Sequence, residues 1–275
     1  MDIVNGFLNG LFNVLFWPFR SMSPWLGMVF ISLLTSFLML FIFRHTSNQA
    51  GIRREKNRIK AHLLELRLFK DNMGVQIKAQ GRILLANLRY IGHNSKPMLV
   101  MIIPVMLILI QLEQRYGSSP LVPGDTALVK VKLAKGYIPT EVAAELESTP
   151  GVVIETAPLR IDDEGEIDWR IRAGAPGPGR LTLSLGGDKF AKTVVVGGRP
   201  TTPLSVLRTG RGLIEKILYP GEPSLPSKAA VKAIEVRYPS ALMNFFGMRL
   251  HWLIVYFILS IAFGFAFKGV FKVEI

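Results

Sequence analysis

The chain has 275 residues, a formal net charge of +13 and a hydrophobic fraction of 49%. Its apolar residues are clustered in blocks, which indicates a membrane protein and excludes an ordinary soluble domain. The absence of cysteine excludes disulfides, thiol catalysis and thiolate metal sites. The four histidines lack a metal-ligand spacing and no catalytic constellation is found, so we expect no enzyme activity, no bound metal and no cofactor.

The first predicted element is an amphipathic helix within residues 1–23. Asn5, Asn9 and Asn13 recur every four residues and lie on one helical face, with apolar residues opposite. This pattern predicts a helix that lies in the membrane surface, with Trp17 at the depth of the headgroups. The alternative is that this segment crosses the membrane as an additional span.

Three apolar segments are predicted to be membrane spans, although each is near or below the usual length of about 20 residues: residues 24–44, 96–115 and 249–268. The second has an apolar run of only sixteen residues, with Pro104 near its middle, and reaches roughly 24 Å against a ~30 Å hydrocarbon core. The loop between the first two spans is strongly basic, so the positive-inside rule places it in the cytoplasm. The N-terminus is then outside, and the tail at residues 269–275 is cytoplasmic.

The basic loop, residues 45–95, has a helical pattern interrupted at LFKDNMGV. We predict two antiparallel helices whose apolar stripes face each other as in a coiled coil; a single kinked helix is the alternative. Its basic residues either form a solvated face that only determines the topology or also attract phosphate groups, which anionic lipid headgroups or RNA, such as that of the ribosome, would supply. The candidate contacts are Arg53, Arg54, Lys56, Arg58, Lys60, Arg67, Lys70, Lys78 and Arg82.

Residues 116–200 change to a β pattern, with short alternating runs separated by glycine, proline and aspartate turns. The pattern predicts five to seven strands in an extracytoplasmic, immunoglobulin-like sandwich. The acidic stretch DDEGEID at residues 162–168 is interpreted as a hairpin turn, with calcium binding as the alternative. Residues 201–248 are predicted to be a proline- and glycine-rich connector with one short helix and one strand.

A small set of polar side chains interrupts the three spans. They are either ordinary packing contacts between membrane helices or the lining of a partly hydrated groove that serves a polar passenger. The methionines of the second span, Met101 and Met106 among them, suit an adaptable apolar surface or ordinary core packing. The polar set consists of Ser32, Thr35 and Ser36 in the first span, Gln111 in the second, and Tyr256 and Ser260 in the third.

The order of these elements resembles the YidC/Oxa/Alb superfamily of membrane-protein insertases. The specific stretches are LLELRLFKDN, QIKAQGRILLANLRYIGHNSKPM and the apolar segment KPMLVMIIPVMLILIQL. The chain is similar to the minimal three-helix branch, which includes the insertase subunit of the endoplasmic-reticulum membrane complex and its archaeal relatives. The resemblance covers the membrane part, about half of the chain, and the β region is an insertion that this branch usually lacks.

The resemblance implies an α-helical membrane protein that acts as an insertase or chaperone, with short helices around a hydrophilic groove. Many family members carry a basic residue in the groove, and Arg44 is the nearest match here. The expected groove residues are Ser32, Thr35, Ser36, Arg44, Met101, Met106, Gln111, Tyr256 and Ser260.

We therefore expect a multi-pass protein of a bacterial-type plasma membrane. Its expected partners are membrane lipids, nascent membrane proteins, the ribosome and an extracytoplasmic protein bound by the β region. One alternative is a membrane-anchored scaffold whose β region binds an envelope partner. A second alternative is a channel or transporter subunit, which the lack of acidic residues inside the spans disfavours.

Overall fold

The computed structural model describes residues 2–20, 22–198, 201–210 and 213–274. The chain forms helices and a separate region of antiparallel β-sheet, divided into two compact units. One unit comprises residues 28–107 and 256–275 and is called the helical unit; the other comprises residues 1–27 and 108–255 and is called the β-containing unit. Each unit is described in turn.

Two helices in the described part of the chain are long and apolar enough to cross a membrane. They are α2 (Pro24–Thr46) and α4 (Met73–Tyr116). A third apolar helix, α6 (Trp252–Phe267), has sixteen residues and spans only ~24 Å.

The basic loop forms α3 (Gln49–Leu68) and the first part of α4. Asn48 caps α3 by accepting a hydrogen bond from the Gly51 N–H at 2.9 Å, and Asn72 accepts one from the Val75 N–H at 3.2 Å at the start of α4. The chain is therefore broken between the two helices where the sequence has LFKDNMGV, so the alternative of one kinked helix is wrong.

Two further features of this loop differ from the sequence prediction. The second hairpin helix and the second apolar segment are one continuous helix of 44 residues, with Pro97 and Pro104 inside it. The apolar stripes also do not pack fully against each other, because several of their members are exposed. The hairpin instead has buried alanines and an ion pair between Arg82 and Glu65 (3.3 Å). The exposed stripe members are Leu63, Met73, Ile77, Leu84, Leu88 and Ile91.

The helical unit has a small apolar core in which α2 meets the C-terminal tail. Leu40 and Phe43 of α2 cluster with Ile52 of α3 and with Val273. The ring of Phe37 packs edge-on against that of Phe267, with centroids 5.0 Å apart. The tail is further held by the Glu274 N–H, which donates to the side chain of Gln49 at 2.7 Å.

The β-containing unit has a six-stranded sheet and a three-stranded sheet, and every ladder between named strands is antiparallel. The larger sheet has the order β3–β5–β1–β9–β8, with β4 also paired to β5; the smaller has the order β2–β6–β7. The strands are β1 (Thr126–Leu133), β2 (Ala144–Ser148), β3 (Val152–Ile154), β4 (Leu159–Ile161), β5 (Glu166–Ala173), β6 (Gly177–Leu185), β7 (Asp188–Val196), β8 (Leu207–Thr209) and β9 (Val231–Val236).

Alternate residues of these strands are buried in one sandwich-like core. In β1, Ala127, Val129, Val131 and Leu133 point inward. The core also takes in Trp169 from β5. A single continuous apolar core is what a two-layer β domain requires.

The predicted connector contributes more structure than its composition indicated. Strand β9 pairs with β1 in the interior of the larger sheet, and β8 pairs with β9. The segment also contains α5 (Leu213–Leu218) and a separate hairpin of β10 (Leu242–Phe245) and β11 (Met248–His251). The β region therefore extends well beyond residue 200.

The acidic stretch at residues 162–168 lies at a hairpin, as predicted, because β4 and β5 pair across it. Glu166 accepts hydrogen bonds from Lys130 and Lys132, both at 3.1 Å. These lysines hold the pKa of the Glu166 carboxyl below its ordinary value despite the opposing effect of burial. In the described residues, no group of histidine and acidic side chains is arranged to hold a metal ion.

Candidate functional site

Helices α2, α4 and α6 of the helical unit surround a cavity of about 300 Å3, called here the hydroxyl groove. Its polar lining comes from Thr35 and Ser36 of α2 and from Tyr256 and Ser260 of α6. The helical period explains the pair in α6, since Tyr256 and Ser260 are four residues apart and lie on one face of that helix. The apolar lining consists of Met39, Leu40, Phe43, Met101, Val105, Phe257, Ile261 and Gly264.

Two hydroxyls of the groove are hydrogen-bonded to helix carbonyls. Thr35 Oγ1 donates to the Ile31 carbonyl at 2.7 Å. Ser36 Oγ lies 2.7 Å from the carbonyl oxygen of Ser32 in α2 and 2.7 Å from that of Ser260 in α6. Its single proton can be donated to either carbonyl. The Tyr256 hydroxyl is close to the side chains of Thr35 and Ser260. The groove is therefore an apolar cavity with one hydroxyl-bearing edge.

Ser32 lies one turn before Ser36 and is fully buried. Within the described residues its Oγ has no hydrogen-bond partner, although its carbonyl accepts from Ser36. A buried hydroxyl without a partner lowers the free energy of unfolding by about 1–3 kcal/mol, because it has given up its hydrogen bonds to water.

Among the other expected groove residues, Met101 belongs to the lining, whereas Ser32, Arg44, Met106 and Gln111 do not. Met101 lines the groove, whereas Met106 is half exposed and does not. Arg44 is exposed in the last turn of α2 and is not part of the lining. Gln111 belongs to the β-containing unit, where it donates to Asn9 Oδ1 at 2.7 Å.

Seven of the nine candidate basic residues of the hairpin fall into three groups, and Lys70 and Lys78 belong to none of them. Arg53 and Arg54 share a cavity of about 670 Å3 with Lys268 and Lys272 of the C-terminal tail. A second group lies at a cavity of about 530 Å3 with leucines of α3, and a third is engaged in ion pairs. The second group consists of Lys60 and Arg67. The ion pairs of the third group are Lys56 with Glu274 (3.5 Å), Arg58 with Glu55 (2.7 Å) and Arg82 with Glu65. Lys70 and Lys78 are exposed.

Sequence reasoning missed a polar cluster in the β-containing unit. The asparagine row of α1 (Asp2–Phe16) does not face solvent. Asn5 and Asn9 donate to the carbonyls of Lys216 and Pro220, both at 2.8 Å, and Asn13 accepts from Arg115 at 2.8 Å. The four-residue spacing was the available signal, but it could not show that the partner is protein.

A buried ion pair was also missed. Lys192 of β7 is 1% exposed and its Nζ lies 2.6 Å from Glu222 Oε2. The carboxylate also accepts from the Thr193 N–H (2.7 Å) and from the Ser205 hydroxyl (2.8 Å). Burial alone would raise the pKa of Glu222, but Lys192 and these donors hold it below its ordinary value. Glu222 comes from LYPGEPSLPS, so this segment fastens the connector to the sheet.

Comparisons with known proteins give no family. Neither the protein-family models nor the curated proteins contain a match to the chain. Two solved structures of the S-layer protein SbsC are similar at 16% identity, with TM-scores of 0.24 for domains 4 and 5 and 0.22 for domains 5–6. The matches cover 29% and 44% of this chain and 47% and 57% of those chains. The chain thus spans about half the length of the structures that it matches.

Proposed function

We propose that this protein is a membrane-protein insertase or chaperone of the YidC/Oxa/Alb type, with the hydroxyl groove as its passenger site. The observation that carries the proposal is the gathering of Thr35, Ser36, Tyr256 and Ser260 around one cavity between apolar helices. Polar residues inside membrane helices are costly, and where they face a cavity they commonly mark a path for a polar passenger.

In this proposal α2, the C-terminal part of α4 and α6 cross a bacterial-type plasma membrane, with the basic hairpin in the cytoplasm and the β region outside. The charge asymmetry of the sequence supports this orientation. The short α6 supports local thinning, because a helix of ~24 Å in a ~30 Å hydrocarbon core draws the bilayer thinner at modest cost.

The mechanism needs no covalent step. An arriving segment would pack its apolar side chains against Met39, Met101 and Phe257, of which the flexible methionines adapt to different shapes. Its polar flank would exchange hydrogen bonds with the groove hydroxyls while crossing the thinned bilayer, which lowers the desolvation barrier. Burial of the passenger helix in lipid then drives the process.

The exposed leucines of the hairpin support a role that begins in the cytoplasm. Leu64, Leu68 and Leu88 are each more than half exposed, beside basic side chains. Exposed apolar clusters of this kind are uncommon on monomeric soluble surfaces and are typical of interaction sites. A nascent apolar segment is the occupant that fits both this surface and the groove.

Filling the groove tests the proposal. A Cβ at Gly264 has no heavy atom within 4 Å, so Gly264→Leu places a side chain in the cavity without a backbone clash. We expect insertion of a model membrane protein into proteoliposomes to slow severalfold, because the passenger and the new leucine compete for one volume.

The matched control is Ala262→Leu, which adds a similar side chain at an exposed position of the same helix. The control should insert the substrate at the wild-type rate. Equal insertion by the wild type and by Gly264→Leu, with both variants folded, would contradict the proposal and favour a scaffold in which the helices are only an anchor.

A further inference from the structure

Arg115 at the end of α4 is a buried cation that has no counter-charge among the described residues. Its side chain is 2% exposed, and no carboxylate of the described residues lies within ion-pair distance of it. Its partners are neutral: Nη1 donates to the side chain and carbonyl of Gln111, both at 3.1 Å, and Nη2 donates to Asn13. A buried charge that is not compensated is costly, so the surroundings should supply an anion.

Two aromatic rings complete the neutral surroundings of this guanidinium. Its central carbon lies 5.9 Å from the ring centroid of Phe12 and 5.3 Å from that of Phe16. Such contacts offset part of the cost of burial but add no negative charge. The three hydrogen bonds given above also leave part of the five N–H donors of the arginine available for a further ligand.

Arg115 lines a cavity of about 290 Å3 in the β-containing unit, called here the arginine pocket. The pocket is also lined by Arg20, Asn13, Thr201 and Thr202. Two arginines and two threonines thus line one space, and none of the described lining residues is acidic. Arginine forks and hydroxyls are the donors that bind phosphate oxygens in other proteins.

Arg115 borders a second cavity of about 190 Å3, whose lining includes Glu222. That carboxylate is bound to Lys192 at 2.6 Å and also accepts from Ser205 and Thr193. It is therefore already neutralised by its own lysine and does not replace a counter-ion for Arg115.

The outward side of α1 indicates where the anion comes from. Phe7, Leu11 and Val14 are exposed, and so is Trp17 just after the helix. An apolar helical face that ends in tryptophan is typical of a helix at the membrane surface, where lipid phosphates lie. We propose that the arginine pocket binds a phosphate group and that a phospholipid headgroup supplies it. This inference rests on the membrane location in the proposed function but not on insertase activity.

The test uses the full-length protein in mixed micelles and measures the midpoint temperature of its thermal unfolding. The probes are phosphatidylglycerol, diacylglycerol, which lacks the phosphate, and inorganic phosphate in lipid-free micelles. We expect phosphatidylglycerol to raise the midpoint and diacylglycerol to leave it unchanged. In Arg20→Gln, the phosphatidylglycerol concentration that gives half of the shift should rise roughly tenfold, as expected for loss of a charge-assisted hydrogen bond.

Arg20 is the first choice for substitution because it is exposed, whereas Arg115→Gln removes a buried packing partner and can unfold the region. The matched control is Arg180→Gln, which makes the same charge change at an exposed position of β6 and should leave the response as in the wild type. A shift caused by inorganic phosphate alone, and weakened by Arg20→Gln, would support the phosphate site and assign it to soluble phosphate. No shift with either phosphate probe, or an equal response of Arg20→Gln and Arg180→Gln, would overturn the proposal.

Discussion

The two units of the molecule treat their apolar residues in opposite ways. In the β-containing unit, alternate residues of β1 and of β5 to β7 are almost fully buried in one core. In the helical unit, Leu84, Leu88 and Ile91 of the hairpin are each more than half exposed, and so are several residues of the apolar helices. The sheets of the first unit bury their own apolar residues, whereas the helices of the second unit leave many of theirs exposed.

The two units also differ in the hydrogen bonding of buried polar side chains. Lys192 and Glu222 of the β-containing unit are buried together and fully bonded. In the helical unit, Thr35 and Ser36 bond to helix carbonyls beside a cavity, and the hydroxyl of Ser32 has no partner in the described residues. The buried ion pair fastens the connector to the sheet, whereas the hydroxyls of the helical unit border an open cavity.

The largest expected effect compares one leucine from each unit. Leu183→Ala empties a fully buried position of β6 and should lower the free energy of unfolding by about 2–5 kcal/mol, from lost transfer energy and the cavity left behind. Leu88→Ala in the hairpin, where the side chain is 58% exposed, should change it by less than about 0.5 kcal/mol. Denaturant unfolding of the full chain in micelles, followed by circular dichroism, measures both. Equal losses would mean that the hairpin leucines are packed in solution.

A smaller effect is expected for Glu222→Gln, which removes the charge that Lys192 requires. The cost should be about 1.5–3 kcal/mol at neutral pH. Because the pKa of Glu222 is lowered by folding, its contribution is present above its unfolded pKa of roughly 4.3 and is lost as the pH falls through the folded value. The difference in unfolding free energy between wild type and variant should therefore narrow below about pH 4.

Unfolding measured in the same way at several pH values checks the direction of this pH dependence. Glu235→Gln is a suitable control, because that carboxylate is more exposed. Its Oε1 is 3.7 Å from Arg237 Nε, and an exposed ion pair of this kind contributes about 0–1 kcal/mol. A difference between wild type and Glu222→Gln that stays constant from pH 7 to pH 3 would show that the charge of Glu222 is not what stabilises the sheet.

The smallest effect is expected at Tyr238, whose hydroxyl accepts from the Val195 N–H at 3.1 Å. Tyr238→Phe should cost about 1 kcal/mol. Burial raises the pKa of this hydroxyl to about 12, so its contribution is complete below the unfolded pKa, roughly 10, and is lost as the pH rises towards 12. The wild type should thus lose stability between pH 10 and 12 more steeply than Tyr238→Phe. Parallel loss in the two proteins would contradict this linkage.

Much of the architecture follows from local patterns in the sequence. The alternation in ALVKVKLA gives β1, Asn72 marks the break between α3 and α4, and the spacing of four in α6 places Tyr256 and Ser260 on one face. Each of these features depends on neighbours within a few residues of the chain, which is why the residue pattern alone suffices.

The remainder depends on contacts between distant segments. The pairing of β9 with β1 joins Val236 to Val129 across more than a hundred residues, and a proline-rich composition concealed it. Arg115 seemed to be an ordinary basic flank of a span, because burial by α1 is invisible in its own neighbourhood. The exposed hairpin stripe was mispredicted for a related reason: heptad spacing shows that a partner is needed, not that the adjacent helix is that partner.

The most direct test of the central claim is site-specific photocrosslinking to stalled nascent membrane proteins. The probe replaces Met101 or Ile261 in the hydroxyl groove, and Ile103, which is 68% exposed on the same helix as Met101 and does not line the groove, is the control. The account predicts crosslinks from both groove positions that clearly exceed those from Ile103. Crosslinks that are absent from the groove, or equal at all three positions, would contradict it.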